Sequence, residues 1–156
     1  MSNYMAKART NYFGVKNAEA LKTELRRYGI DPQPWSAVQT GADFIFDDET
    51  AGKVAFFCDG TWPSLEEDAV ADRLEADVDE QVPQDHIDLP ALVAAHIEDG
   101  QVAIFMDIGS EKMRYLGATA VAVNAADDRR IVDLQDIYGL ARELAAPGTV
   151  IGAAEN

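Results

Sequence analysis

The chain has 156 residues, 47% of them hydrophobic and 26% charged, a balance typical of one folded domain rather than a disordered chain. Its 28 acidic and 13 basic residues give a formal net charge of -15, which argues against direct binding of nucleic acids or anionic membranes, because phosphates are repelled. The single cysteine, Cys58, excludes an internal disulfide. The sequence also has no apolar leader and no long apolar run. Together with the single cysteine, these features predict a cytoplasmic protein without a membrane span.

The N-terminal part of the chain predicts strands around one helix. Asn17 is a favourable N-cap for a helix over residues 18–28, and Gly29 follows the end of that helix. Aromatic and β-branched residues on either side are typical of β-structure. The predicted strands of this part are residues 10–15, 42–46 and 53–58, the last two joined as a hairpin through an acidic turn.

An acidic insert follows over residues 63–88. Ten of its side chains are acidic and only Arg73 is basic, so the middle third of the chain, residues 43–100, has a net charge of -15 and equals the imbalance of the whole. Apolar residues recur within the insert at close to helical spacing, which predicts a segment anchored to the core. They are Leu65, Val70, Leu74, Val78 and Val82.

Anchored carboxylates hold fixed positions and can therefore imitate the regularly spaced phosphates of a nucleic acid. On this interpretation the insert binds a basic surface of another protein. The candidate partner-binding residues are Glu66, Glu67, Asp68, Asp72, Glu75, Asp77, Asp79, Glu80 and Asp85. The alternative is that the insert is a solvated face that only keeps the protein soluble.

The C-terminal part predicts two helices with strands between them. Asp88 is an N-cap for a helix that continues to about Glu98. Asp133, with Asp136 three residues later, opens a last helix over residues 134–145. The predicted strands are residues 101–108, 116–124 and 130–132, the first two forming an antiparallel pair with Gly109 in or beside their connection.

These elements predict an α+β fold, a mostly antiparallel sheet with helices packed on one face. The acidic insert lies between two αββ-like units, each a helix followed by two strands. We expect residues 1–150 to form a single domain and residues 151–156 to form a disordered tail.

The residues that usually carry catalysis are sparse, and we predict no catalytic residue, no cofactor and no metal. His86 and His96 lie ten positions apart among acidic residues, but neither has the spacing of a transition-metal site. Cys58 precedes Asp59, whose charge opposes a reactive thiolate, so a buried structural thiol is the plainer interpretation. Trp35 and Trp62 remain candidates for an interface anchor.

Short motifs at both ends of the chain resemble a family of small acidic proteins carried on bacterial plasmids, phages and integrative elements. The motifs are Arg9 to Phe13, Val15 to Asn17, Glu111 to Gly117, Ala120 to Asn124 and Asp136 to Tyr138. In size and acidity the chain is also similar to antirestriction and anti-CRISPR proteins that act as DNA mimics. These resemblances imply a non-enzymatic inhibitor of a host defence nuclease.

Two functions therefore stay open. In the first, residues 43–100 occupy a positively charged nucleic-acid channel of a bacterial protein or complex. In the second, the chain is an accessory or regulatory protein-binding module of a mobile element, and its acidity serves solubility alone. Oligomeric state and the identity of the target do not follow from the sequence.

Overall fold

A computed structural model describes residues 4–48, 52–76, 82–111 and 115–152. These residues form seven strands and four α-helices, together with two 3-10 helices at Trp35–Thr40 and Leu134–Asp136. The strands are β1 (Tyr4–Thr10), β2 (Phe13–Gly14), β3 (Phe44–Asp47), β4 (Lys53–Cys58), β5 (Val102–Glu111), β6 (Tyr115–Asn124) and β7 (Arg129–Asp133). The helices are α1 (Ala18–Arg27), α2 (Glu67–Leu74), α3 (Leu89–Ala94) and α4 (Ile137–Leu144).

All seven strands belong to one sheet, and every pair of named strands is antiparallel. In β4, Cys58 pairs with Ala8 of β1 on one side and with Phe44 of β3 on the other, so β3 forms one edge of the sheet. From β1 the sheet continues through β5 and β6 to β7, which forms the opposite edge. The α+β fold with a mostly antiparallel sheet is confirmed, and α1–β3–β4 and α3–β5–β6 are the two predicted αββ units.

The first strand departs from the sequence prediction. Residues 10–15 do not form one strand: β1 ends at Thr10 and β2 starts at Phe13. Asn11 bridges the break, because its side-chain oxygen accepts from the backbone N–H of Ile104 at 2.7 Å and its amide donates to the carbonyl of Val102 at 3.1 Å. These side-chain bonds add to the one that the Asn11 backbone N–H donates to the carbonyl of Ile104 at 3.3 Å, and they hold the chain against β5 where the two strands part.

The β5–β6 hairpin is longer than predicted. The antiparallel pairing of this segment is confirmed, but Gly109 lies inside β5, directly opposite Gly117 of β6. The pairing continues to Glu111 and Tyr115, because two opposed glycines leave the backbone ladder intact. Placing Gly109 in or beside the connection was therefore wrong, and residues 112–114 between the strands lie outside the described residues.

The helices begin at the predicted caps. The Asn17 side chain accepts from the backbone N–H of Ala20 at 3.0 Å, and the Asp88 side chain accepts from that of Ala91 at 2.9 Å. Asp133 and Asp136 form the predicted capping box, although a 3-10 turn comes first and α4 starts only at Ile137. The helix ends differ from the prediction as well, since α3 stops at Ala94 rather than near Glu98.

The hydrophobic core lies between α1, α2 and α3 and one face of the sheet. Leu21 and Leu25 of α1, Val70 of α2 and Leu92 of α3 are fully buried there. Phe56 of β4 is at the centre, in contact with four other phenylalanine rings. These are Phe13, Phe44, Phe46 and Phe105.

The opposite face of the sheet carries the 3-10 helix Trp35–Thr40. Side chains alternate between the two faces of a strand, so Phe57 points away from the core that holds Phe56. The Trp35 ring packs edge-on against Phe57, with centroids 4.8 Å apart. We call this side the outer face, and the side covered by α1, α2 and α3 the helix face.

Within the described residues, no helix combines the length and the apolar character that a membrane span requires.

Candidate partner-binding site

Among its described residues the acidic insert forms one short helix, α2, which Glu66 precedes and Glu75 follows. The Ser64 hydroxyl accepts from the backbone N–H of Glu66 at 3.1 Å, just before the helix starts. Glu67 and Asp68 occupy the first turn, where negative charge is stabilised by the helix dipole. Glu75 ends the helix in the left-handed conformation, at φ 56°.

Three of the five apolar residues predicted to anchor the insert are buried in the core. Leu65, Val70 and Val82 are buried in the core, whereas Leu74 is partly exposed and Val78 lies outside the described residues. With Val70 and Ala71 fixing α2 in place, its acidic side chains have a defined position relative to the sheet.

Arg73, the one basic residue of the insert, does not neutralise its carboxylates. Its Nε donates to the carbonyl of Tyr28 at 3.0 Å and its Nη2 donates to the carbonyl of Ser64 at 2.7 Å. Burial lowers the pKa of this guanidinium. The contact is close: a Cβ added at Gly29, which has φ +78°, would lie 2.6 Å from the Cβ of Arg73. Arg73 therefore fastens α2 to the end of α1.

Five of the nine candidate residues are exposed on α2 or directly beside its ends, and we call this set the acidic face. They are Glu66, Glu67, Asp68, Asp72 and Glu75. Within the described parts of the chain none of them forms a salt bridge. Asp68, Asp72 and Glu75 are spaced by four and three positions, which places them on the same side of the helix.

Asp85, a further candidate, is already paired within the protein. Asp85 forms an ion pair with Arg27, which lowers the pKa of the carboxyl through the hydrogen bond, and its backbone N–H donates to the Tyr28 hydroxyl at 3.0 Å. Its charge is therefore offset within the protein. Asp77, Asp79 and Glu80 lie outside the described residues.

The residues considered for metal binding or nucleophilic chemistry have surroundings typical of residues that support the fold rather than a reaction. His86 lies 3.3 Å from the Glu24 carboxylate, and burial lowers the pKa of His96. Over the described ranges, no three His, Cys, Asp or Glu side chains are grouped to hold a metal ion. Burial, with a smaller contribution from Asp43, raises the pKa of the Cys58 thiol to about 12, so this thiol is protonated at neutral pH.

Sequence reasoning missed an apolar groove on the outer face. A cavity of about 610 Å³ lies between the 3-10 helix and the sheet, lined by Trp35, Val38, Phe57, Met106 and Ile108 among others. The signal was weak, because Trp35 follows a proline and lies between the predicted helix over residues 18–28 and the predicted strand over residues 42–46. Of the two tryptophans, Trp35 is exposed in this groove.

Trp62 has the opposite environment. Its ring packs edge-on against Phe105 with centroids 5.3 Å apart, on the helix face. The indole N–H is buried and has no hydrogen-bond partner among the residues that the structure describes. The surroundings of Trp62 are therefore those of a core residue rather than of an interface anchor.

Asp88 stabilises the fold through two contacts, a helix cap and an ion pair. It caps α3, and it forms a bidentate ion pair with Arg129 of β7 at 2.7 Å for both contacts. The Arg129 hydrogen bonds hold the pKa of Asp88 below its usual range. A depressed pKa means that the stabilisation is present above the unfolded pKa of about 3.9 and is lost as pH falls through the folded value.

We expect Asp88→Ala to lower the free energy of unfolding by about 1 to 2 kcal/mol at pH 7, most of it from the lost cap, since the half-exposed ion pair is screened by solvent. Asp88→Asn keeps a capping oxygen and should lose less. Urea unfolding at pH 7 and at pH 3 checks this: the difference between wild type and Asp88→Asn should shrink at pH 3. An unchanged difference would contradict the ion-pair contribution.

Comparison with known proteins adds no relative: the chain matches no protein-family model, no curated protein and no solved structure at a significant level.

Proposed function

We propose that this protein is a non-enzymatic acidic inhibitor that occupies the basic nucleic-acid channel of a bacterial defence nuclease, of the restriction or CRISPR type. The observation that carries the proposal is the acidic face of α2. Five exposed carboxylates stand there without an ion pair to any described residue, while Arg73 is used on backbone carbonyls.

The spacing of these charges supports mimicry of a nucleic-acid strand. A helix rises about 1.5 Å per residue, so the residues from Glu66 to Glu75 span roughly 13 Å. Five carboxylates over that length amount to about one charge per 2.7 Å, compared with one phosphate per 3.4 Å in a single DNA strand. The acidic face therefore has an axial charge density of the same order as one strand over this length, and Asp68, Asp72 and Glu75 form its row on one side of α2.

The anchoring of α2 supports the same function. A flexible acidic tail loses conformational entropy when it binds, whereas a helix fixed by Val70, Ala71 and Arg73 is already ordered. Ordered charges facing a basic channel also accelerate association through electrostatic steering.

A second candidate function is supported by contacts of other acidic residues. The first-turn position of Glu67 and Asp68 stabilises α2 itself, and Asp85 and Asp88 are paired with Arg27 and Arg129. These contacts favour an accessory module of a mobile element, whose acidity serves folding and solubility.

Affinity capture from a bacterial lysate at low and high salt, followed by a DNA competition assay on each captured complex, separates the two. The proposed inhibitor recovers a nuclease complex at low salt, loses it at high salt and competes with duplex DNA for it. Recovery of mobile-element proteins only, with no competition by DNA, would reject the inhibitor and support the accessory module.

A further inference from the structure

The C-terminal arm, residues 129–152, has no buried residue, although it contains β7 and α4. Six large apolar side chains between Arg129 and Leu144 are exposed. They are Ile131, Val132, Leu134, Ile137, Leu140 and Leu144. By contrast α1, of similar length to α4, buries both Leu21 and Leu25. The arm thus has the apolar pattern of an element that packs against a core, but its apolar side chains are exposed.

The helix of this arm needs a packing partner. An isolated helix of eight residues is unstable in water, and helices of this length owe their stability to packing of an apolar face. Ile137, Leu140, Ala141 and Leu144 follow one another at the three- and four-residue spacing of such a face, yet Leu144 is 91% exposed. Something outside the described fold of one copy must cover this face.

The strand of the arm offers a pairing edge. β7 is hydrogen-bonded to β6 along one side, in an uninterrupted register from Arg129 to Asp133, and it is the last strand of the sheet. It contains no proline to interrupt further pairing. A free edge of this kind readily accepts another antiparallel strand.

We propose that the partner is a second copy of this chain, joined by antiparallel pairing of β7 with β7 about a two-fold axis through Ile131. In this register Arg129 lies opposite Asp133 of the second copy, and Arg130 lies opposite Val132. Residues 129, 131 and 133 share the helix face with the core, because Val121, the partner of Ile131 on β6, lies opposite buried Phe105. Arg129, which also pairs with Asp88, therefore lies beside the paired isoleucines on the same face as Asp133 of the second copy, whose side chain also caps the turn after β7.

The neighbouring symmetric registers are less favourable. An axis through Arg130 places the two Arg130 side chains against each other and Arg129 opposite Ile131. An axis through Val132 places Asp133 opposite Ile131. Like charges in opposed positions, and a carboxylate against an apolar side chain, both weaken strand pairing. The charge pattern of β7 thus selects Ile131 as the centre.

The pairing also brings the exposed helices to the junction. Antiparallel strands place the end of one beside the start of the other, so α4 of each copy begins next to the β6–β7 turn of its partner. The acidic face lies elsewhere: α2 is fastened to α1, and Lys22 of α1 contacts Phe46 of β3 at the opposite edge of the sheet. Self-association through β7 therefore keeps the most acidic surfaces of the two copies apart. This self-association does not depend on the proposed function.

Sedimentation equilibrium of the full chain tests the association. Wild type should be a dimer, and Ile131→Lys, which opposes two lysines, should raise the dimer dissociation constant at least ~100-fold. Ile131 is 62% exposed in one copy, so the monomer fold should persist. Ile87→Lys is the matched control, because Ile87 is 81% exposed and lies outside the arm. A monomeric wild type, or a dimer unaffected by Ile131→Lys, would overturn the proposal.

Cysteine cross-linking tests the register. Directly opposed residues of antiparallel strands have Cα atoms about 4.5 to 5.5 Å apart, within the range for a disulfide, so Ile131→Cys should cross-link two copies on oxidation. Val132→Cys should not, since its counterpart lies roughly 8 Å away in this register. Wild type controls for Cys58, which is buried and should stay unlinked. Cross-linking of Val132→Cys but not of Ile131→Cys would overturn the register.

Discussion

Replacing Phe56 by alanine should lower the free energy of unfolding by about 3 to 5 kcal/mol. The Phe56 ring is fully buried, and its centroid lies 5.2 to 6.3 Å from those of four neighbouring phenylalanines. Removing it leaves a cavity at the meeting point of β2, β3, β4 and β5, where the surrounding rings cannot all move inward. A typical domain has only about 5 to 15 kcal/mol of stability, so the loss is large.

Urea unfolding monitored by circular dichroism measures this loss. Phe57→Ala is the matched control, because Phe57 is the next residue of β4 but lies half-buried on the outer face. It should cost clearly less than Phe56→Ala. Equal losses at the two positions would contradict the assignment of the core to the helix face.

Reversing the acidic face by substituting Glu66, Glu67, Asp68 and Asp72 with lysine should weaken binding to the proposed nuclease partner at least ~100-fold. Four attractions become four repulsions at the surface that meets the basic channel. The fold should persist because all four side chains are exposed, although melting should occur at a slightly lower temperature, since lysines oppose the helix dipole in the first turn of α2.

A charge-matched variant shows whether the position of the carboxylates or the net charge of the protein determines binding. It carries the same number of reversals at exposed acidic residues outside residues 43–100: Glu19→Lys, Asp31→Lys, Glu111→Lys and Asp128→Lys. Isothermal titration calorimetry with the captured complex should give near wild-type affinity for this variant. Equal weakening by both sets would mean that overall charge, and not the acidic face, governs binding.

Capping residues were the most predictable part of the fold. Asn17, Asp88 and Asp133 each satisfy backbone N–H groups at helix starts, a local requirement that can be recognised from a few neighbouring residues. The antiparallel β5–β6 pair was predictable for a similar reason, since its two apolar segments are close in sequence.

Long-range pairing was not predictable in the same way. Residues Tyr4–Arg9 include alanines and basic residues without a strand pattern, yet β1 is a central strand because β4 and β5 pair with it on both sides. The exposure of Glu66, Glu67 and Asp68 could be anticipated from their charge. The removal of Arg73 from the acidic face could not, because it depends on the carbonyls of Tyr28 and Ser64 coming within its reach.

The central claim is that the acidic face of α2 takes the place of nucleic acid. Fluorescence anisotropy of labelled duplex DNA bound to the captured nuclease complex, titrated with this protein, tests it most directly. Wild type and the charge-matched variant should displace the DNA, the acidic-face variant should not, and displacement should weaken as salt is raised. Displacement of the DNA by the acidic-face variant as effectively as by wild type would contradict the claim.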